Sequence, residues 1–254
     1  MALFTDGIST IEDLANQDSA VLSTAQAENI NLAEKLLLAQ QDLGIEITLL
    51  LQRSNTYDWQ FWLQPTPQLS NVVVTPPLQL WHVYHTLRLV YQDVYFNQLN
   101  DRFKAKRDQF HELADRAMQN LMQTGLGMVG DPIPQAAAPQ LGSIAGGQPA
   151  QTYYVSVSWL NAEGQEGQAS SSACLAVTAA NALVAQPVNA PGNARAWNVY
   201  VGLTTTTLVL QNSPGIALDQ VWVQASPVAT TGRVPGTGQA PDYLQALPRF
   251  IQRG

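Results

Sequence analysis

Apolar side chains recur at helical spacing over residues 77–124, in two consecutive segments. In the first segment they form two faces, one of Leu80, Val83, Tyr84, Leu87, Tyr91 and Val94, the other of Leu78, Trp81, Leu89 and Phe96. A helix with two apolar faces needs neighbours on two sides, so this segment is predicted to be the central helix of a packed unit. The second segment is predicted to be an amphipathic helix that ends before Gly125, with Phe103, Phe110, Leu113, Ala117 and Leu121 on its apolar side.

The N-terminal region predicts two further helices. A capping box, with Ser9 as the cap and Glu12 reaching back, predicts a short helix to about Gln17. A long helix is predicted over residues 23–51, although Gly44 weakens its middle. Residues 45–50 are also compatible with a strand, so the end of this helix stays open.

At Thr152 the hydrophobic period changes from 3.6 to 2. Over residues 152–159 apolar and polar side chains alternate, which is typical of a half-buried strand, and residues 161–164 predict a hairpin turn. Further strands are predicted over residues 172–178, 196–203, 207–211 and 220–223. Short strands with turns at this spacing predict a β-sandwich.

The composition divides the chain into four parts. Residues 125–150 are rich in Gly, Ala, Pro and Gln, which is typical of a linker. The predicted fold class is therefore α+β and multidomain. Its predicted parts are a helical bundle (1–124), the linker (125–150), an antiparallel β-sandwich (151–228) and an extended C-terminal arm (229–254).

Part of the helical region resembles a known family. Four stretches carry the resemblance: Val72-Val73-Val74-Thr75-Pro76-Pro77, Trp81-His82-Val83, the segment from Leu87 to Tyr95, and Asn100-Asp101-Arg102-Phe103. Together they resemble the helical core of head-tail adaptor (neck, connector) proteins of tailed bacteriophages. The resemblance implies a structural virion protein that forms a homo-oligomeric ring, usually twelve-fold, between the portal and the downstream neck or tail proteins. DNA would pass through the ring's channel without sequence-specific binding.

The β region carries a second resemblance. Residues 153–159 and 197–202 resemble strands of immunoglobulin-like or fibronectin-III-like domains, including those inserted in phage structural proteins, and Leu210-Gln211-Asn212-Ser213 is similar to the phage variety. This resemblance implies a fold and says little about function, because such sandwiches serve many roles.

Composition and charge limit the possible partners. Apolar residues make up 46% of the chain and charged residues 12%, about half the usual share, which suggests a surface partly covered by partner subunits. The formal net charge of −7 resides entirely in residues 1–150. A DNA-binding surface of clustered Lys and Arg is therefore not expected.

The cell compartment is also suggested by the sequence. Cys174 is the single cysteine, which excludes an intramolecular disulfide framework. Neither a signal peptide nor an apolar run long enough to span a bilayer is present, so we expect assembly in the host cytoplasm, a location in the virion and no membrane contact.

No residues commit the chain to catalysis. His82 and His85 are three residues apart and with His111 or a carboxylate could bind a metal, but no carboxylate falls at ligand spacing. We interpret these histidines as helix-surface or interface residues. Cys174 and the serines at 170–172 lack a histidine in residues 112–254. No enzyme activity, cofactor or metal is expected.

Three groups of residues are candidates for an interface. A proline-bounded connection contains Trp59, Phe61 and Trp62. These aromatic side chains either cover the end of the helical core or are buried against a neighbouring subunit. Arg102, Lys104 and Lys106 form, with Arg107, either a solvated helix face, in which Lys104 pairs with Asp108, or a patch for an acidic partner. The C-terminal arm contributes Tyr243, Leu244, Leu247 and Phe250.

Two other functions compete with the ring adaptor. The β-sandwich could be a carbohydrate- or host-surface-binding module of a phage tail that uses exposed Trp159, Trp197 or Trp222, although tryptophans in strands are more often core residues. A tail-associated hydrolase would need a clustered acidic site. For such a site the β half of the chain offers only Glu163, Glu166, Asp219 and Asp242.

Overall fold

The computed structural model describes residues 1–55, 68–98 and 101–244. Over these residues the protein is α+β, with five α-helices and several antiparallel sheets. The chain divides into two compact units. The helical unit comprises Gly7–Met128 and the chain from Pro241 onward, and the β unit comprises Met1–Asp6 and Val129–Ala240. The chain therefore passes between the units three times.

The five helices lie in the helical unit. They are α1 (Ile11–Gln17), α2 (Val21–Ala27), α3 (Leu32–Asn55), α4 (Pro76–Gln98) and α5 (Asp101–Thr124). The two consecutive helices predicted over 77–124 are confirmed as α4 and α5. Within the described residues, no helix has both the length and the apolar character needed to cross a bilayer.

The predicted single helix over 23–51 is wrong, because the chain breaks between α2 and α3. Asn29 has a left-handed backbone with φ of 55°, which ends the first helix. The side-chain oxygen of Asn31 then accepts a hydrogen bond from the backbone N–H of Ala33 at 3.1 Å, which caps the second helix. Residues 45–50, compatible with a strand in the sequence, are helical.

The capping box of α1 is one residue later than predicted. Thr10 is the cap and Asp13 reaches back to it, with Asp13 Oδ2 accepting from the Thr10 N–H at 2.7 Å. Ser9 has another role, since its hydroxyl oxygen lies 2.6 Å from Nδ1 of His82. The hydrogen bond to His82 ties the start of α1 to the first half of α4.

Helix α4 is the centre of the helical core, as its two apolar faces predict. Its residues Val83, Leu87, Val90 and Tyr91 are buried in one cluster with side chains from α1, α2, α3 and α5, including Leu14, Val21, Ala25, Leu32 and Phe110. The rings of Tyr91 and Phe110 are stacked with centroids 5.6 Å apart. The second predicted face is only partly buried, because Leu78 and Trp81 are covered whereas Phe96 is exposed.

Two short strands complete the helical unit. Strand β1 (Leu126–Met128) pairs antiparallel with β10 (Asp242–Leu244), and Val72 bridges to Met128. Gly127 is required here because a Cβ at this position would lie 2.7 Å from a methyl group of Thr75. This pairing places Tyr243 and Leu244 of the predicted arm beside residues of the predicted linker.

The β unit contains two sheets. Its strands are β2 (Gln140–Ala145), β3 (Gln151–Leu160), β4 (Ala173–Val177), β5 (Asn181–Gln186), β6 (Ala196–Gly202), β7 (Val209–Leu210), β8 (Ile216–Ala217) and β9 (Trp222–Val223). One sheet has the order β2-β5-β9, and the other has the order β4-β3-β6-β7 with β8 paired to β6. Their shared core is formed mainly by inward-facing residues of β3, β5 and β6, including Val155, Val157, Trp159, Leu183, Trp197 and Val199.

Three strands of the β unit, β2, β5 and β8, fall where none was predicted, as do β1 and β10 of the helical unit. Strand β2 lies in the predicted linker and pairs with β5 along its whole length, from Gln140–Gln186 to Ala145–Asn181. Strands β2 and β5 are each six residues long; β2 contains Gly, Ser and Ala and β5 contains two Ala, so their period-2 signal is weak. Their pairing partner, and not their own composition, makes them strands.

Residues 229–240, predicted as part of an extended C-terminal arm, are bonded into the β unit. Gln239 is buried, accepts a hydrogen bond from the Ile133 N–H at 2.7 Å and donates to the Asp131 carbonyl oxygen at 2.9 Å. Arg233 forms a salt bridge with Glu166 at 2.9 Å. The anchors are polar, so a hydrophobic pattern could not reveal them.

The central position of α4 predicts the effect of two matched substitutions. Leu87→Ala removes a side chain with no exposed surface and should lower the free energy of unfolding by about 2–5 kcal/mol. Leu80→Ala is the control, because Leu80 lies on the same helix but is 40% exposed, and its cost should be clearly smaller. Chemical denaturation of the two variants and the parent measures the difference. Equal costs for the two leucines would show that α4 is not buried as described.

Candidate interaction surface

Helix α3 has two opposite apolar faces, of which only one is buried. Its inner face is formed by Ala39, Leu43, Ile47 and Leu51, all inside the helical unit. Its outer face carries four exposed side chains, the α3 stripe: Leu37, Leu38, Ile45 and Leu49. Ile45 is 62% exposed and Leu37 is 59% exposed. Helical spacing places Leu38, Ile45 and Leu49 in one line, which is the pattern of a helix that packs on two sides.

Acidic residues border the α3 stripe. Glu34 lies one turn before Leu38, and Glu46 follows Ile45 directly, both at exposed positions. Among the residues that the structure describes, neither glutamate forms a salt bridge. In contrast, Lys35 and Asp42 are already engaged, with Asp93 at 2.5 Å and His85 at 3.1 Å. The stripe is therefore an apolar strip with an acidic edge.

A second exposed surface lies between α4 and α5. This basic face is an open groove lined by Arg88, Gln92, Phe96, Arg107, Asp108 and His111. Phe96 is 60% exposed, and Arg107 lies over the neighbouring ring of Tyr95 with its guanidinium carbon 4.9 Å from the centroid. The groove thus combines an exposed aromatic ring with two guanidinium groups.

Arg88 has unused hydrogen-bonding capacity in this groove. Its terminal NH1 donates to Nδ1 of His111 at 3.2 Å. Its Nε is buried and has no hydrogen-bond partner among the described residues. A buried guanidinium N–H without a partner is costly, and a carboxylate is the acceptor that fits an arginine side best.

The predicted basic patch divides into residues with different roles. Lys106 donates to Asp18 at 2.6 Å and to the Tyr91 hydroxyl at 3.0 Å, so it holds α5 to the connection between α1 and α2. Burial opposes the charge of Lys106, but the bonds to Asp18 and Tyr91 prevail and raise its pKa. Asp108 pairs with Arg107 at 2.6 Å, in place of the predicted pairing with Lys104. Of the three basic candidates, Lys104 is exposed and Arg102 lies 6.0 Å from the Phe103 ring centroid.

The other predicted interface residues are only partly described. Tyr243 is 54% exposed on β10, and its neighbour Leu244 is half-buried beside Leu50, Leu121 and Leu126 in a small apolar pocket. Trp59, Phe61, Trp62, Leu247 and Phe250 lie outside the described residues. Their assignment as interface residues therefore stays a prediction.

His82 is a core residue, so its interpretation as a surface or interface histidine is wrong. Its Nε2 lies 3.0 Å from the Leu36 carbonyl oxygen and its Nδ1 accepts from Ser9, so it links α1, α3 and α4. Burial lowers its pKa from 6.5 to about 4. His85 also contacts α3, where it is paired with Asp42, and no group of three metal-ligating side chains is found in the described parts of the chain.

The carboxylates of the β half do not form an acidic cluster. Of these four carboxylates, Glu166 alone packs against the covered outward face of β3 and β6, where it accepts hydrogen bonds from Ser158, from Asn198 at 3.1 Å and from Tyr200 at 2.5 Å. Burial and the bond to Glu166 raise the pKa of Tyr200 above its ordinary value. Glu163 and Asp219 are exposed, and Asp242 belongs to β10 in the helical unit.

The tryptophans proposed for a carbohydrate site are turned inward. Trp159 and Trp197 are buried in the β core, and Trp222 packs against the same cluster. The indole N–H of Trp197 donates to the Ala217 carbonyl oxygen at 3.1 Å. Neither Trp159 nor Trp197 presents a ring to a ligand.

Comparisons with protein-family models, with curated proteins and with solved structures each found no match to this chain.

Sequence reasoning missed the α3 stripe and the basic face. The spacing of Leu38, Ile45 and Leu49 was available as a signal, but an apolar helix position does not reveal whether its own chain covers it. Arg88 and His111 are 23 residues apart and meet only because α4 and α5 pack against each other.

His82 makes the stability of the helical unit depend on pH. Its folded pKa of about 4 lies below the ordinary value of 6.5, so between these values the unfolded chain binds a proton that the folded chain does not. Stability should therefore fall as the pH falls from about 7 to about 4.5, by about 2 kcal/mol from this group. Chemical denaturation of the parent and of His82→Gln at about pH 7 and about pH 4.5 measures this change in the free energy of unfolding.

The glutamine variant should lose most of this pH dependence. The matched control is His111→Gln, the same substitution at a histidine whose side chain is 54% exposed. His85 acts in the same direction in all three proteins, since burial lowers its pKa too. An unchanged pH dependence in His82→Gln would contradict this account of His82.

Proposed function

We propose that the protein is a structural virion protein of a tailed phage, a head-tail adaptor whose copies form a ring between the portal and the tail. The observation that supports the proposal most directly is α3, a long helix with an apolar stripe that its own chain leaves exposed. Such a stripe in a chain with only 12% charged residues is typical of a subunit that functions inside an assembly. The resemblance of residues 72–103 to phage adaptors agrees with it.

The proposed ring lies below the portal, is twelve-fold by resemblance and contacts downstream neck or tail proteins. The net charge of −7 is compatible with a channel through which DNA slides, because an acidic surface does not hold phosphates. The C-terminal residues from 245 onward, with Leu247, Phe250 and Ile251, are proposed to dock on a neighbouring subunit. Apolar side chains at the end of a polar segment gain stability mainly by burial on another surface.

The β unit is proposed to be an immunoglobulin- or fibronectin-III-like sandwich that decorates or braces the ring. Its two antiparallel sheets contribute to one core around Trp159 and Trp197, which supports the sandwich. The burial of these rings favours a structural role over carbohydrate binding.

The decisive experiment is electron microscopy of portal-bearing phage heads mixed with the purified full-length chain. The proposal expects a ring-shaped density below the portal that heads alone lack. Heads without added density, at protein concentrations well above those of the heads, would refute the adaptor function.

Removing residues 245–254 tests the proposed arm. Both units should stay folded, because the deletion spares β10, Arg233 and Gln239, whereas occupancy of the ring on heads should fall several-fold. Deleting from residue 230 is not a valid test, since it removes those anchors and should destabilise the β unit. The substitution pair Leu247→Ser with Phe250→Ser should reproduce the loss, and Gln245→Ser with Gln252→Ser is its matched control. Equal occupancy in all variants would rule out the arm.

A further inference from the structure

The helical unit has two exposed surfaces with complementary chemistry. The α3 stripe is apolar with an acidic edge, and the basic face between α4 and α5 carries guanidinium groups around the exposed ring of Phe96. We propose that the α3 stripe of one copy docks on the basic face of the next copy. This contact rests on the proposed ring and names the surfaces that would build it.

Burial of apolar side chains drives the proposed contact. The α3 stripe runs from Leu37 to Leu49, a length of about 18 Å at the rise of an α-helix. Phe96 is the apolar counterpart on the basic face, and a flat aromatic ring packs well against leucine and isoleucine. Docking would remove all five side chains from water, which a single copy cannot do.

Charge fixes the orientation of the contact. Glu34 and Glu46 have no salt-bridge partner in the part of the chain that the structure describes, and the guanidinium groups of Arg88 and Arg107 line the open groove. A glutamate of one copy would pair with these guanidinium groups on the next. Arginine and a carboxylate form paired, charge-assisted hydrogen bonds, so the match is geometric as well as electrostatic.

The same charges disfavour the simplest alternative, a symmetric dimer. A two-fold dimer that packs the α3 stripe against itself would bring Glu34 and Glu46 of both copies together, and like charges at an interface are repulsive. Contact between two different surfaces is head-to-tail, and head-to-tail contacts propagate into a ring if the rotation closes. One helix face is small beside the roughly 800 Å² per partner of a stable pairwise interface, so each contact is expected to be weak alone.

Covalent trapping tests a weak contact directly in the full-length protein. The background variant is Cys174→Ser, because Cys174 is exposed and would react. Ile45→Cys places a thiol in the α3 stripe, and Phe96→Cys places one on the basic face. A bismaleimide cross-linker is then added to concentrated protein, and the products are separated by denaturing electrophoresis.

The arrangement of the cysteines determines the expected products. A chain with both cysteines should give a ladder of oligomers, whereas a mixture of the two single variants should stop at the dimer. Each single variant alone should give little product. The matched control replaces Phe96→Cys by Val234→Cys, since Val234 is 62% exposed, as Ile45 is, but belongs to the β unit. This control should not form the ladder.

Charge reversal tests the orientation. In the double-cysteine chain, Glu46→Arg should lower the ladder yield roughly tenfold, because it sets like charges against the basic face. Arg107→Glu should have a similar effect, and the combination of both changes should restore the product. Circular dichroism melting of each variant shows that the helical unit stays folded.

Three outcomes would overturn the contact. They are the absence of any ladder, an equal ladder with the Val234→Cys control, and efficient dimers from Ile45→Cys alone, which would indicate a symmetric dimer. These failures are distinct from failure of the adaptor function. Density on portal-bearing heads without the Ile45–Phe96 product would reject the contact and keep the adaptor, and the reverse result would keep the contact and reject the adaptor.

Discussion

The helical unit depends on the burial of α4. This helix contacts α1, α2, α3 and α5, so its buried polar side chains depend on hydrogen-bond partners from the segments packed around it. His82 is satisfied by Ser9 and the Leu36 carbonyl oxygen, and the Tyr91 hydroxyl is satisfied by Asp18 and Lys106. These polar contacts join α4 to the start of α1, to α3, to the α1–α2 connection and to α5.

The β unit uses a buried carboxylate in a comparable way. The outward faces of β3 and β6 carry Ser158, Asn198 and Tyr200, which are polar but covered. Glu166 accepts hydrogen bonds from all three, and Arg233 balances its charge from a segment far along the chain. Removing one member of such a network would leave buried polar groups unpaired. The loop that carries Glu166 and the segment that carries Arg233 are therefore needed to keep the polar side chains on this sheet surface hydrogen-bonded.

The sequence predicts elements whose signal is local and misses those whose signal is not. Helices α4 and α5 and strands β3 and β6 have strong periodicity in their own residues. Strands β2 and β5 depend on each other, and the anchoring of Gln239 depends on Ile133 and Asp131, more than 100 residues away. The break between α2 and α3 is set by Asn29 and Asn31, whose turn and cap chemistry is easily hidden within a continuous helical pattern.

The exposed face of α3 links the fold to assembly. An isolated subunit gains nothing from four large apolar side chains in water, and its low charge offers little to keep such a surface apart from other copies. The inner face of α3 is already committed to the helical core, so the outer face is free to serve a second surface without disturbing the first. In the proposed ring, a helix of this kind would connect one subunit's core to the next, because both of its faces belong to the same rigid element. An assembly built on it would be stiff even if each contact were weak, since closing the ring multiplies the same contact around the circle.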